Sequence, residues 1–289
     1  MNIHNSWDAR LGDELERLRI HYNQPEGLHH QINTTLQQYG FALVSGLGHH
    51  ESIAVTTQRL LELSEQLGTV LPQSPRNETV EDIRDFSDTG EKDERGYRSG
   101  GELSLHSDPP TLIVLHCLQP AKSGGETYLV NVKKIHDVIG AEAPELLDVL
   151  YQGFPHVEID GHSGEMRPAE EQRPIFMCRD QLVSCVHYRP FTEKAALDSG
   201  RPLSQQQIDA LDIFDKYANH QDFALRFYLQ PGETIILHNR VVLHARTDYE
   251  DWPEPDKRRH LLRVWIDAPD LLPIPPEHAL GNIFEGNNR

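Results

Sequence analysis

The strongest constraint on the fold lies between Phe223 and Asp267. Three apolar runs, FALRFYLQ, ETIILHN and RHLLRVWID, follow one another there, and the first two are joined by the turn signal QPGE. Each is too short for a helix of ordinary length and suits a strand with a buried face. LSLHSDPP, TLIVLHCLQP and AKSGGETYLVNV have the same character, punctuated by Pro109-Pro110 and Gly124-Gly125. Helical periodicity is concentrated earlier. It predicts an amphipathic helix over 6–23, with Leu11, Leu15 and Leu18 on one face, a second over 26–38 and a third over 50–67. Gly40 ends the second ahead of a buried strand at 41–44. Further helices are expected over 133–150 and over 205–219, the latter opened by a Ser204/Gln207 capping box. Helices early and short strands late predict a mainly β fold with flanking helices, a β-sandwich or jelly roll.

A chain of 289 residues can form a single domain of this kind, spanning 1–289. Hydrophobic residues are 37% and charged residues 25%, so a packed core is expected rather than disorder. The formal charge of -18 argues against nucleic-acid partners and against anionic membranes. The best apolar run, TLIVLHCLQ, is far too short to span a bilayer. An anionic small-molecule substrate would therefore need a local cluster of positive charge. Cys117, Cys178 and Cys185 do not have the spacing of a metal knuckle, and the N-terminus lacks a basic-then-apolar leader pattern. Both point to a reduced, cytoplasmic protein. Oligomeric state is left open.

Two regions are irregular. Residues 71–101 are rich in charge, Gly and Pro with little periodicity, and they immediately precede LSLHSDPP. A long loop in that place is expected to be an active-site lid or a solvated surface loop. Residues 152–202 alternate short apolar runs with Pro, Gly and charge, which suggests short strands and loops.

His106 and Asp108 are two apart on a strand-like run, so their side chains share a face. Together they offer one neutral nitrogen and one anionic oxygen to the same point. A third donor would complete a two-histidine, one-carboxylate face with open positions, the arrangement of non-haem Fe(II) oxygenases. His238 and His244, both in GETIILHNRVVLHAR, are the candidates. Alone, His-x-Asp is a weak motif in a chain with 17 histidines.

The surrounding pattern is more specific. GETIILHNRVVLHAR resembles the C-terminal motif of the taurine dioxygenase and clavaminate synthase-like superfamily of Fe(II)/2-oxoglutarate-dependent oxygenases, in which an Asn-Arg pair leads into the distal iron-binding histidine. The match sets Asn239-Arg240 as the pair and His244 as the ligand. LHSDPPTLIVLHCLQPAKSGGETYLVN is similar to the family's His-x-Asp strand and the Gly-Gly segment after it, and LHC and GGET resemble the γ-butyrobetaine hydroxylase branch. KRRHLLRVWID resembles the closing strand. The likeness spans about residues 100–267, and TTLQQYGFALVSGL also fits.

That resemblance implies a double-stranded β-helix (a cupin-like jelly roll) using Fe(II), 2-oxoglutarate as cosubstrate, and O2. It implies iron ligation by His106, Asp108 and His244, and binding of the distal 2-oxoglutarate carboxylate by Thr127 and Arg259, with Arg258 one residue away as the alternative. It further implies that Arg263 meets an acidic group on the substrate. The expected activity is hydroxylation of a small polar, acidic or amino-acid-like molecule, with release of succinate and CO2. Desaturation or cyclisation of a natural-product intermediate and a non-catalytic metal-binding jelly roll are the alternatives. The carboxylate at Asp108 favours hydroxylation over halogenation, because related halogenases carry Ala or Gly there. Arg246 is expected in a structural salt bridge, and His116 and His238 as hydrogen-bonded or solvated residues. Compared with taurine dioxygenase, the Asp108–Thr127 segment is shorter and the His244–Arg259 stretch longer, so taurine is not carried over as the substrate.

Overall fold

The computed structural model describes residues 6–24, 26–74, 76–86, 98–160 and 165–278. Its centre is a pair of sheets. The larger has seven strands, in the order Ile20–His21, Phe41–Ser45, Glu233–His238, Leu112–Gln119, His260–Asp267 and Thr69–Leu71, with Val80–Ile83 also paired to His260–Asp267. The smaller has four, in the order Ala224–Phe227, Thr127–Asn131, Val242–Arg246 and Leu103–His106. Pairing is antiparallel throughout both sheets, except that Ile20–His21 runs parallel to Phe41–Ser45.

Period-2 alternation sorts the side chains into layers. Leu43, Ile113, Ile235 and Leu261 of the large sheet pack with Leu129, Leu225 and Val242 of the small one in a single buried cluster between the sheets. On the far side of the large sheet, Val44, Val114, Ile236 and Val264 meet helices α1 (Leu28–Tyr39) and α2 (Ile53–Glu65) through Ile32, Leu36 and Leu60. On the far side of the small sheet, Leu105, Val130 and Leu243 meet α3 (Val132–Glu142), α4 (Pro144–Leu150) and, beyond α5 (Arg189–Asp198), α6 (Gln205–Ala218). The fold is thus mainly β with flanking helices. Among the described residues no helix is long and apolar enough to cross a membrane, and none of the three cysteines is in a disulfide.

Several expectations are revised. The helix over 6–23 is a short 3-10 segment, Ala9–Glu14, followed by turns. Leu11, Leu15 and Leu18 still pack on the inter-sheet core, but pairing of Ile20–His21 with the sheet edge competes with further helical turns. The single helix over 133–150 is two, because Pro144 cannot donate to the ladder and pushes Ala143 out of the helical region (φ -147, ψ 67). Region 71–101 is not structureless, since Val80–Ile83 extends the large sheet, while 87–97, the middle of the expected lid, lies outside the described residues. Helix α5 was not expected within 152–202, where Pro190 reads as a breaker although it sits in the first turn, a position that tolerates proline. The capping box of α6 forms as expected, and Gly40 closes α1 at φ 75.

Candidate active site

The inner face of a β-sandwich should be apolar, and most of this one is. Its exceptions are concentrated at one end. On Val242–Arg246, Leu243 faces the outer helices and Val242 the inter-sheet core, so His244 and Arg246 point inward. Leu105 faces outward, which turns His106 inward, and Leu129 sets the same direction for Thr127. From the opposite sheet Leu261 and Trp265 point inward, and Arg263 between them does so too.

Register brings the two histidines together. His244 is the direct antiparallel partner of His106, and the rings lie 4.2 Å apart. The ladder then slips between His244 and Arg246, a bulge of the kind that re-aims side chains beside active sites. Asp108 lies just past the end of its strand, and His106 Nε2 is 3.5 Å from its Oδ1. Donor atoms of His106, Asp108 and His244 all lie within 4.8 Å of one another, and among the described residues this is the group of three that could hold a metal ion. His238, the other candidate, is fully buried elsewhere, with Nδ1 accepting from the Arg240 backbone N–H at 3.3 Å.

The donor chemistry fits a divalent ion. His106 Nδ1 donates to the Ser104 carbonyl at 2.8 Å, which fixes the ring with Nε2 turned toward Asp108. Burial pushes His244 down to about 3, helped by its neighbours His106 and Arg263, so its imidazole is neutral. Burial alone would raise the Asp108 carboxyl, but the hydrogen bond with His106 and the charge of Arg263 hold it well below the usual carboxylate range. Among the described residues its Oδ2 makes no hydrogen bond, although Arg263 Nη1 stands 3.5 Å away. Two imidazole nitrogens and one ionised oxygen, with few competing partners, are the set expected of a two-histidine, one-carboxylate site.

The loop that carries Asp108 is pinned from three sides. Ser107 exchanges bonds with His187: its N–H donates to the His187 carbonyl at 2.9 Å, and its hydroxyl accepts the His187 N–H at 3.0 Å. Asn239 Nδ2 donates to the Pro110 carbonyl at 3.1 Å. Arg240, 1% exposed, donates to the carbonyls of Asp108 (3.0 Å), Pro109, Pro110 (3.2 Å) and His278 (2.8 Å). The Asn-Arg pair therefore has a physical role that sequence alone did not disclose: it fixes the backbone from Asp108 to Pro110, while His187 holds the Ser107 side.

Further along the same face, a cavity of about 420 Å³ is lined by Cys117, Gly125, Thr127, Leu229, Arg259 and Leu261, among others. Arg259 is 6% exposed and its Nη1 has no hydrogen-bond partner among the described residues. Asp251 accepts its backbone N–H at 2.7 Å. Arg258, the neighbouring alternative, turns to the surface and donates to the carbonyls of Trp252 and Pro253. Thr127 and Arg259 thus share one cavity, and the metal-competent group is not part of its lining. Arg263 Nε donates to Gln73 Oε1 at 2.8 Å, and Gln73 in turn donates to the Arg263 carbonyl, so this arginine is held facing Asp108. Arg246 is anchored by the carbonyls of Ser99, Gly101 and Thr247, and among the described residues it makes no salt bridge of the expected kind. Tyr188, whose ring is 5.6 Å from that of His106, and Tyr249, on the stretch before Arg259, were not singled out from the sequence, because isolated tyrosines carry no spacing signal.

The description "Taurine catabolism dioxygenase TauD, TfdA family" matches residues 7–265. The chain belongs to that family. It is a non-haem Fe(II)/2-oxoglutarate-dependent dioxygenase that also uses O2. Among curated relatives, this TauD-family chain is similar to FR-33289 synthase of Streptomyces rubellomurinus, 29% identical over 236 residues, covering 80% of this chain and 69% of that one. It is also similar to a uridine-5'-phosphate dioxygenase of a Streptomyces species, 23% identical over 244 residues, covering 79% and 85%. Among solved structures, an asparagine oxygenase in complex with Fe(II), 3-hydroxyasparagine and succinate shares the fold, with a TM-score of 0.66 at 19% identity, covering 84% of this chain and 80% of that one. The iron oxygenase OrfP with Fe and α-ketoglutaric acid gives 0.62 at 17%, covering 92% and 87%.

Proposed function

We propose that the dioxygenase hydroxylates a small polar substrate bearing an acidic group, of amino-acid-like or related chemistry. In this reading His106, Asp108 and His244 hold Fe(II), and Arg259 with Thr127 binds the distal carboxylate of 2-oxoglutarate. Arg263 meets the substrate's anionic group, and the facing sheets are a double-stranded β-helix of cupin type. The observation that carries it is the inward-facing line of His106, His244 and Thr127 opposite Arg263, in a sandwich that is otherwise apolar. One of the relatives quoted above is named for a phosphate ester, which supports an acidic substrate. The free cysteines support a reducing, cytoplasmic setting.

Bound Fe(II) supplies oxygen activation, coupling decarboxylation of 2-oxoglutarate to succinate and CO2 with oxidation of the substrate. The protein's share is position, charge and dryness. The Ser104 carbonyl and Arg240 fix the donors before any ligand arrives. Arg259 offers a planar fork that a lysine cannot reproduce. Leu229, Leu261 and Cys117 give its cavity apolar walls, which strengthens a charge-assisted bond made there. Arg263 keeps Asp108 ionised and presents positive charge beside it.

The test is a panel of small carboxylates, amino acids, phosphates and phosphonates, read as 2-oxoglutarate-dependent succinate release and product mass. Addition of one oxygen to an acidic compound is expected, and Arg263→Met should raise its KM at least tenfold. Turnover confined to uncharged substrates, or KM unchanged in that variant, contradicts the assignment of Arg263. A product lighter by two hydrogens indicates desaturation or ring closure instead.

A further inference from the structure

A second polar cluster lies beside the cavity. The Tyr249 ring lies between two guanidinium groups, with Arg246 Cζ 4.6 Å and Arg259 Cζ 5.0 Å from its centroid. Arg246 is committed to backbone carbonyls. By contrast, Tyr249 Oη and Arg259 Nη1 are both buried with no hydrogen-bond partner among the described residues. The Tyr249 oxygen stands close enough to the Arg259 guanidinium to support its charge, but neither the phenol proton nor Nη1 has an acceptor among the described residues, and buried donors without one are rare in folded proteins. The adjoining wall is glycine: a Cβ at Gly125 would sit 3.5 Å from both Arg259 Nε and Tyr249 Cβ. Gly125, Thr127 and Arg259 all line the same cavity.

The backbone holds Tyr249 in place. Tyr249–Glu250 pairs with Ser123–Gly124, the Tyr249 N–H donates to the Gly100 carbonyl at 2.9 Å, and the Gly125 N–H donates to Asp248 at 2.9 Å. We propose that the Tyr249 hydroxyl is a further donor to the distal carboxylate of 2-oxoglutarate, beside Arg259 and Thr127, and that it helps select a dicarboxylic 2-oxo acid. The assignment rests on the reading of Arg259 and Thr127 given above. A carboxylate has about four lone-pair positions, so the arginine fork leaves room for two hydroxyl donors. Burial raises the Tyr249 phenol above its ordinary range despite Arg259 and Arg246, so at neutral pH it keeps the proton it would donate.

Tyr249→Phe removes one oxygen and preserves the ring between the arginines. Anaerobic calorimetric titration of the Fe(II)-loaded protein with 2-oxoglutarate, and separately with 2-oxobutyrate, separates the possibilities. The second acid keeps the chelating end and lacks the distal carboxylate. The variant is expected to bind 2-oxoglutarate about tenfold more weakly, the usual effect of losing a hydrogen bond to a charged group, and to bind 2-oxobutyrate like wild type. Unchanged 2-oxoglutarate affinity, or an equal loss for both acids, overturns the role of Tyr249. Failure of wild-type protein to prefer 2-oxoglutarate over 2-oxobutyrate, with Arg259→Met unaffected, instead removes the reading of Arg259 on which it rests.

Discussion

Replacing Arg240 by Met should loosen the whole iron-binding loop although the side chain touches no candidate ligand's donor atom. Arg240 is buried, and burial pushes its guanidinium down to about 10, so it stays charged at neutral pH. It serves the carbonyls of Asp108, Pro109, Pro110 and His278. Pro110 retains Asn239 Nδ2 as a donor when the arginine is removed. The other three lose this partner inside the protein, at about 1–3 kcal/mol for each buried group left unsatisfied. Partial relaxation of the loop puts the total near the lower end, about 3–5 kcal/mol, which is also the usual loss when a buried charged network is broken. At about 2 °C per kcal/mol for a chain of this size, Tm should fall by roughly 6–10 °C. Arg240→Lys keeps the charge but cannot span the same carbonyls, and an intermediate drop is expected. Scanning calorimetry of the metal-free proteins gives Tm, and Fe(II) titration should show weaker retention in both variants. A Tm within about 2 °C of wild type for Arg240→Met would refute the reasoning.

The buried histidines make stability fall on the acid side. His116, His238 and His278 are pushed down by burial to about 4, about 3 and about 4, so the folded protein keeps them neutral while the unfolded chain protonates near pH 6.5. Below that pH the unfolded state binds more protons. Stability is therefore complete above about pH 7 and is lost progressively toward pH 4, by up to about 4 kcal/mol per pH unit near pH 5 for the three together. Urea midpoints at pH 7.5, 6 and 5 should drop steeply, and a flat profile contradicts the buried neutral assignment. Gly124 has φ 71 and a Cβ there would meet the Asp248 carbonyl oxygen at 2.2 Å, so Gly124→Ala should distort the turn behind Gly125 and weaken 2-oxoglutarate binding. Gly200→Ala, at φ 64 with open space around it, is the control and should bind 2-oxoglutarate like wild type in the same titration. Equal binding by the two variants would show that the turn does not shape the cavity.

What the sequence made legible follows from where the signal is local. Alternation around Leu243 and Leu105 fixes which way His244 and His106 point, and the resemblance of GETIILHNRVVLHAR to the family motif points to His244 over His238. The mainly β class with outer helices followed from the same short runs. Local signal failed where tertiary pairing decided the outcome. Val80–Ile83 looks like loop because its strand character comes from pairing with Leu261–Val264, far along the chain. The 9–14 segment gave way to sheet-edge pairing one turn later. Pro144 and Pro190 carry opposite meanings, one breaking a helix and the other sitting in a first turn, and neither can be told from composition. Tyr249, Gln73 and Arg240 gain their roles only when residues more than 100 positions apart, or on neighbouring strands, are brought into contact.

The central claim, that His106, Asp108 and His244 hold the iron to which 2-oxoglutarate binds, is tested most directly by anaerobic absorption titration. Wild-type protein should develop the weak visible metal-to-ligand band only when both Fe(II) and 2-oxoglutarate are present. His244→Ala should lose it, and His238→Gln should keep it. A band of undiminished strength and affinity in His244→Ala, or its loss in a folded His238→Gln alone, would place the iron elsewhere and contradict the account.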